Sequence, residues 1–130
     1  MKEIHVTAAV IIQDNKILCV QRNENKYDYI SRKWEFPGGK VEENEHLEDT
    51  IKREIHEELN LTIDVKSFLI QVNHQYPDFQ LKMDTFVCEI TDGILKLNEH
   101  IDHKWLAVNE LSDLDWAAAD LPIVEKLRFN

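Results

Sequence analysis

Residues Gly38 to Leu61 read GGKVEENEHLEDTIKREIHEELNL, a glycine turn running into a helix crowded with acids. Leu47, Ile51, Ile55 and Leu59 recur every four residues, which predicts a helix over 45–59 with one apolar stripe. Glu54, Glu57 and Glu58 stand at i, i+3 and i+4, so their side chains can converge beside that stripe. Glu58 falls nearest the stripe and is expected to be partly desolvated. Like charges at these spacings repel by roughly 0.2–0.5 kcal/mol per pair, and the last turn of a helix favours cations. In an acidic chain such a triplet is ordinarily a solvated face. The preceding Pro37-Gly38-Gly39 shifts the reading, because glycines let a backbone approach a ligand closely. A clash that persists points to an outside cation or to function. Clustered carboxylate oxygens suit Mg2+ or Mn2+. Asn60 follows, where a residue at positive φ is expected.

Around this stretch lies a chain of 130 residues, enough for one domain with a core, read here as residues 1–130. The formal net charge is −10, which argues against a nucleic-acid polymer as partner. A small phosphorylated substrate remains compatible if metal ions stand between its charge and the protein's. Met1-Lys2-Glu3-Ile4-His5 runs straight into a strand pattern, with nothing like a signal peptide or a membrane span. A cytoplasmic protein with no membrane partner is expected. Cys19 and Cys88 sit inside apolar strand patterns and read as two buried thiols.

Strands are predicted at Glu3–Ile12, with Ile4, Val6, Ala8, Val10 and Ile12 on one side, and at Lys16–Arg22, joined by an Asp14-Asn15 hairpin turn. Arg22 ends the second strand as a surface arginine or a phosphate contact. Residues 23–33 read as a polar loop, and Trp34-Glu35-Phe36 as a short strand whose aromatics are core or a platform for a base. Two further strands, Leu61–Gln75 and Gln80–Ile90, flank a turn at Tyr76-Pro77-Asp78-Phe79. A polar loop holds Glu99, a last strand spans His103–Val108, and a final helix spans Leu121–Phe129 with Asp120 as its N-cap and Pro122 in its first turn. The fold class is α/β (α+β), a mixed sheet between helices. His100-x-x-His103 lacks the companions of a zinc site, and Lys40 belongs to no Walker-type loop.

Gly39, five residues, Glu45, seven residues, then Arg53-Glu54-Ile55-His56-Glu57-Glu58-Leu59-Asn60-Leu61 resembles the Nudix box, GX5EX7REUXEEXGU with U a bulky aliphatic. The one departure is Asn60 where the pattern has Gly. Residues Trp34 to Glu42 and Ala118 to Pro122 resemble the flanking motifs of the MutT-like branch and its cytidine-triphosphate pyrophosphohydrolase relatives.

This resemblance implies an α/β/α sandwich that cleaves a nucleoside diphosphate linked to a moiety X, using Mg2+ or Mn2+. It implies metal ligation by Glu54, Glu57, Glu58 and the Gly38 carbonyl, with Glu99 approaching the metal and serving as base. Arg53 would orient the glutamates, and Glu45 would brace the loop–helix junction beside Gly39. Arg22 and Lys40 would offset phosphate charge, Phe36 would line the base pocket, and Asp120 would face the base edge, aided by Glu35 and His74. A MutT-type enzyme selective for oxidised guanine carries Asn at the Asp120 position, whereas a carboxylate pairs naturally with an amino group such as N4 of cytosine. The implied reaction takes a CTP-type or modified nucleotide, such as 5-methyl-dCTP or 8-oxo-dGTP, to nucleoside monophosphate and pyrophosphate. A nucleotide sugar or dinucleoside polyphosphate as substrate, or a non-catalytic nucleotide sensor, are the competing readings. The partner is a small-molecule nucleotide, and the protein a monomer or homodimer.

Overall fold

Asp14 and Asn15 both adopt positive φ, 52° and 64°, and fold β1 (Glu3–Gln13) back onto β2 (Lys16–Gln21). The computed structural model describes residues 2–129. After these two strands come β3 (Trp34–Glu35), β4 (Gly38–Lys40), α1 (Leu47–Leu59), β5 (Leu61–Gln75), β6 (Gln80–Gly93) and β7 (Asp102–Leu106). Two short 3-10 turns, Val108–Asp113 and Ala118–Asp120, lead into α2 (Leu121–Arg128).

The sheet runs β3-β2-β1-β6-β5, with β4 paired to β1 and β7 to β2. The β1–β6 pair is parallel, from Glu3 opposite Gln80 to Ile11 opposite Cys88, and the other pairs are antiparallel. The other edge of β1 is shared: Val6–Ala8 meet β4, and Ile12–Gln13 meet β2. Residues Thr7 to Ile11 are all buried, as befits a strand covered on both faces. On one face Ala9, Ile11, Leu18 and Val20 pack against Ile51, Ile55 and Leu59 of α1. On the other, Ala8, Val10, Ile17 and Cys19 share a core with Trp116, Ile123 and Val124. The result is the expected mixed sheet between helices. Both thiols are buried and free, and no described helix is long and apolar enough to cross a membrane.

Several boundaries move, for local reasons. Ile12 is 38% exposed, at the hairpin end of β1 next to the Asp14-Asn15 turn. The helix starts at Leu47 because Glu42–Glu45 forms a turn, with Asn44 at φ 64° and the Glu45 N–H donating to the Glu42 carbonyl at 3.0 Å. Asn60 ends it at φ 59°, ψ 31°, its N–H donating to the His56 carbonyl at 3.0 Å. Both glycines of Pro-Gly-Gly belong to a strand rather than a turn, since Gly38 pairs with Ala8 and Gly39 with Thr7. β6 runs on to Gly93, whereas β7 stops at Leu106 because Val108 opens a 3-10 turn.

Asp120 departs from expectation in its contacts. It precedes α2, but its side chain caps nothing there. Its Oδ1 instead accepts the backbone N–H of Phe36 at 2.9 Å, across 84 residues of chain.

Candidate active site

Pairing of β4 with β1 presses Gly38 and Gly39 between the strand and α1. A Cβ on Gly38 would overlap the Thr7 carbonyl oxygen, and one on Gly39 would overlap the Glu54 carboxyl group. These glycines are needed for close approach, the second one to a candidate ligand itself.

Arg53 is the hub of the helix face. Its Nε and Nη2 fork onto the two oxygens of Glu45 at 2.8 and 3.0 Å. Its Nη1 donates to Glu54 Oε1 at 2.8 Å and reaches Glu57 Oε2 at 3.4 Å, and Nη2 also donates to the Lys40 carbonyl at 3.1 Å. Glu45 Oε1 further accepts the Thr50 hydroxyl at 2.7 Å and the Glu42 N–H at 3.1 Å. The Arg53 bonds, then Thr50 and Glu42, hold the Glu45 carboxyl down at about 2. Glu45 therefore ties the turn before α1 to the helix.

The repulsion anticipated among the three acids is thus relieved internally for Glu54 and Glu57. Glu58 is the exception. It is 6% exposed, and its Oε2 is buried with no hydrogen-bond partner. Burial, and then the charges of Glu35, Glu54 and Glu99, push its carboxyl up to about 9. Glu54 is also shifted upward, by burial first and by Glu57 and Glu99 after the opposing Arg53 contacts.

Among the described residues no three His, Cys, Asp or Glu side chains stand ready as a metal cage; Arg53 already engages two of the helix carboxylates. The donor set nevertheless fits a hard divalent cation. It is all oxygen, it is anionic, and it contains one buried carboxylate oxygen that lacks a partner. Ionising Glu58 without a counter-charge would be costly, so a cation is the natural complement.

A cavity of about 720 Å³ opens beside these acids. Glu54, Glu57, Glu58 and Glu99 line it together with Gly38, Gly39 and Lys40. Arg22, Phe36 and Asp120 line it as well, with Tyr27, Tyr76 and Met83.

A family profile for the NUDIX domain matches residues 3–127. The chain belongs to the Nudix family. It is similar to the 8-oxo-dGTP diphosphatase of Buchnera aphidicola subsp. Schizaphis graminum, 30% identical over 98% of this chain and 95% of that protein. It is 31% identical to the CTP pyrophosphohydrolase of Escherichia coli K12 over 96% of this chain and 91% of the relative. The solution structure of the MutT protein (family Nudix hydrolase) from methicillin-resistant Staphylococcus aureus 252 superposes with a TM-score of 0.76, at 40% identity, covering 99% and 98% of the two chains. This chain is a Nudix hydrolase with a MutT-like fold.

In this Nudix domain the sequence-derived candidates gather in one place, with three changes of detail. Arg22 lines the cavity, but one guanidinium nitrogen donates to Glu35 Oε1 at 3.2 Å. Phe36 is buried and stacked on Trp116, ring centroids 4.7 Å apart, so it is core and cavity wall at once. His74 is not part of the lining; it packs edge-on against Tyr76 at 4.4 Å. Asp120 is buried, and burial followed by the Glu35 charge raises its carboxyl well above the usual range, against the Phe36 N–H and Arg22.

Sequence reasoning missed the partner of Glu35. His100 Nε2 lies 2.9 Å from Glu35 Oε2, and its side chain is only 4% exposed. They stand 65 positions apart, and no pattern between them would have joined them.

Proposed function

We propose that this Nudix hydrolase is a Mg2+- or Mn2+-dependent nucleoside triphosphate pyrophosphohydrolase that acts on cytosine-type nucleotides, CTP, dCTP or 5-methyl-dCTP. The observation that carries the reading is the buried, unpartnered Glu58 oxygen amid Glu54 and Glu99, on a cavity also lined by the buried Asp120. Glu54, Glu57, Glu58 and the Gly38 carbonyl would hold the ion. When bound, the ion supplies charge neutralisation of phosphate oxygens and acidification of water.

The remaining roles belong to side chains. Arg53 keeps Glu54 and Glu57 aligned, and Glu45 keeps Arg53 aligned. Glu99 accepts the proton of the attacking water at its carboxylate. Water adds to the β-phosphorus, the bond from that phosphorus to the α–β bridging oxygen breaks, and nucleoside monophosphate and pyrophosphate leave. Arg22 and Lys40 offset phosphate charge. Asp120, with Oδ1 engaged by the Phe36 N–H, turns Oδ2 to the base edge, where in its ionised form it accepts from an exocyclic amino group. Residues 1–130 act as one cytoplasmic domain, monomeric or homodimeric, with no nucleic-acid polymer or membrane as partner.

Oxidised purine nucleotides form the second reading, favoured by similarity to a protein named 8-oxo-dGTP diphosphatase. Pyrophosphate release from CTP, dCTP, 5-methyl-dCTP, 8-oxo-dGTP, dATP and ADP-ribose with Mg2+ separates the two. Turnover is expected to rank the cytosine nucleotides first. Silence on every triphosphate with turnover of ADP-ribose would overturn the reading.

A further inference from the structure

The segment between β6 and β7 carries Glu99, and it is pinned on both sides of that residue. On one side Asn98 hooks onto the C-terminal end of α1: its N–H donates to the Glu58 carbonyl at 3.0 Å and its Nδ2 to the Glu57 carbonyl at 2.8 Å. These carbonyls end a helix and need outside donors. On the other side the Ile101 N–H donates to the Gln21 carbonyl at 3.0 Å, and the buried His100 ring meets Glu35 at 2.9 Å.

The His100 contact is chemically specific. If Glu35 accepts this bond as a carboxylate, the proton must sit on His100 Nε2. The other ring nitrogen, Nδ1, is buried without a partner. The ring is therefore held in place by the one bond that Nε2 makes. That bond reaches a carboxylate whose second oxygen takes the Arg22 guanidinium at 3.2 Å. Glu35 also lies close enough to act electrostatically on both Glu58 and Asp120. A single chain of contacts, His100 to Glu35 to Arg22, thus links the Glu99 segment to a cation that lines the cavity.

We propose that His100 is a positioning residue: through Glu35 it fixes Glu99 on one side and Arg22 on the other, so that base and phosphate contact keep one relative geometry. This rests on the triphosphate reading above for what Glu99 and Arg22 do, but not for how they are held.

Two measurements on the full chain test it. The first needs no activity. A long-range nitrogen–proton spectrum of the wild-type histidine rings is expected to show His100 protonated at Nε2; a bare Nε2 overturns the proposal. The second compares His100→Gln, whose amide nitrogen falls where Nε2 was, with His100→Leu, which offers no donor. His100→Leu is expected to lose roughly 10–100-fold in kcat, the range for residues that orient ligating or catalytic groups, with KM changed far less. His100→Gln is expected to recover most of that loss. Wild-type kcat in His100→Leu, or an equal fall in both variants, overturns the proposal. A wild-type protein silent on all triphosphates would instead sink the functional reading, and the spectrum would still decide the position of His100.

Discussion

Asp120 Oδ1 accepts the backbone N–H of Phe36 at 2.9 Å, joining the start of α2 to the link between β3 and β4. The bond is buried and lies on the wall of the cavity. Asp120→Asn keeps an acceptor there and should fold like the wild type, while moving the substrate ranking from cytosine nucleotides towards 8-oxo-dGTP. Asp120→Ala strands a buried N–H and should cost about 1–3 kcal/mol in urea unfolding. An unchanged ranking in Asp120→Asn would leave that residue as a purely structural acceptor.

The same residue gives a pH signature. Its native carboxyl lies well above the ordinary 3.8, so the folded state holds this proton more tightly than the unfolded chain. Its contribution is complete below the unfolded value and is lost as pH rises through the raised native one. Asp120→Asn lacks this titration. Its stability relative to wild type should therefore increase as pH rises from about 4 upward, read as the difference in urea midpoints.

Glu45 works in the opposite direction. Its carboxyl is held at about 2 against an ordinary 4.5. The stabilisation from Arg53, Thr50 and the Glu42 N–H is present above 4.5 and is lost as pH falls towards about 2. Glu45→Gln should be less stable than wild type at neutral pH, and the gap should close in acid. A gap independent of pH would mean that packing, not charge, makes Glu45 matter.

Metal linkage can be read without turnover. An ion that binds only the folded state stabilises it by about 2.7 kcal/mol at one hundred times its Kd. Mg2+ or Mn2+ should raise the wild-type melting temperature and leave Glu58→Gln unmoved. Glu57→Gln, altered at a largely exposed side chain with only a 3.4 Å Arg53 contact, should keep its fold and lose most of its turnover. Equal melting shifts in wild type and Glu58→Gln would remove the ion from this site.

The two glycines should separate stability from activity. A Cβ on Gly38 meets the backbone of Thr7, which cannot yield, so Gly38→Ala should cost about 1–3 kcal/mol. A Cβ on Gly39 meets the Glu54 side chain, which can swing away from its Arg53 contact. Gly39→Ala should melt closer to wild type than Gly38→Ala does, and lose activity because Glu54 is displaced. The reverse order, by melting and pyrophosphate release, would misplace Glu54.

What the amino-acid order determined alone is the helix and its acids. Leu47, Ile51, Ile55 and Leu59 lie on one face because helical geometry is local, and the same geometry places Glu54, Glu57 and Glu58 together. Asn60 was legible for the same reason, as a left-handed stop immediately after the last turn. Tertiary structure decided the contacts between distant residues. Parallel pairing of β1 with β6 and the capture of Gly38–Lys40 as a strand depend on the order of the whole sheet. Asp120 left its capping role for Phe36, and His100 found Glu35, because the sheet brings together residues 84 and 65 positions apart. Short-range periodicity carries no information about such meetings: they are set by which strands become neighbours, and burial then favours the partner a polar group finds there.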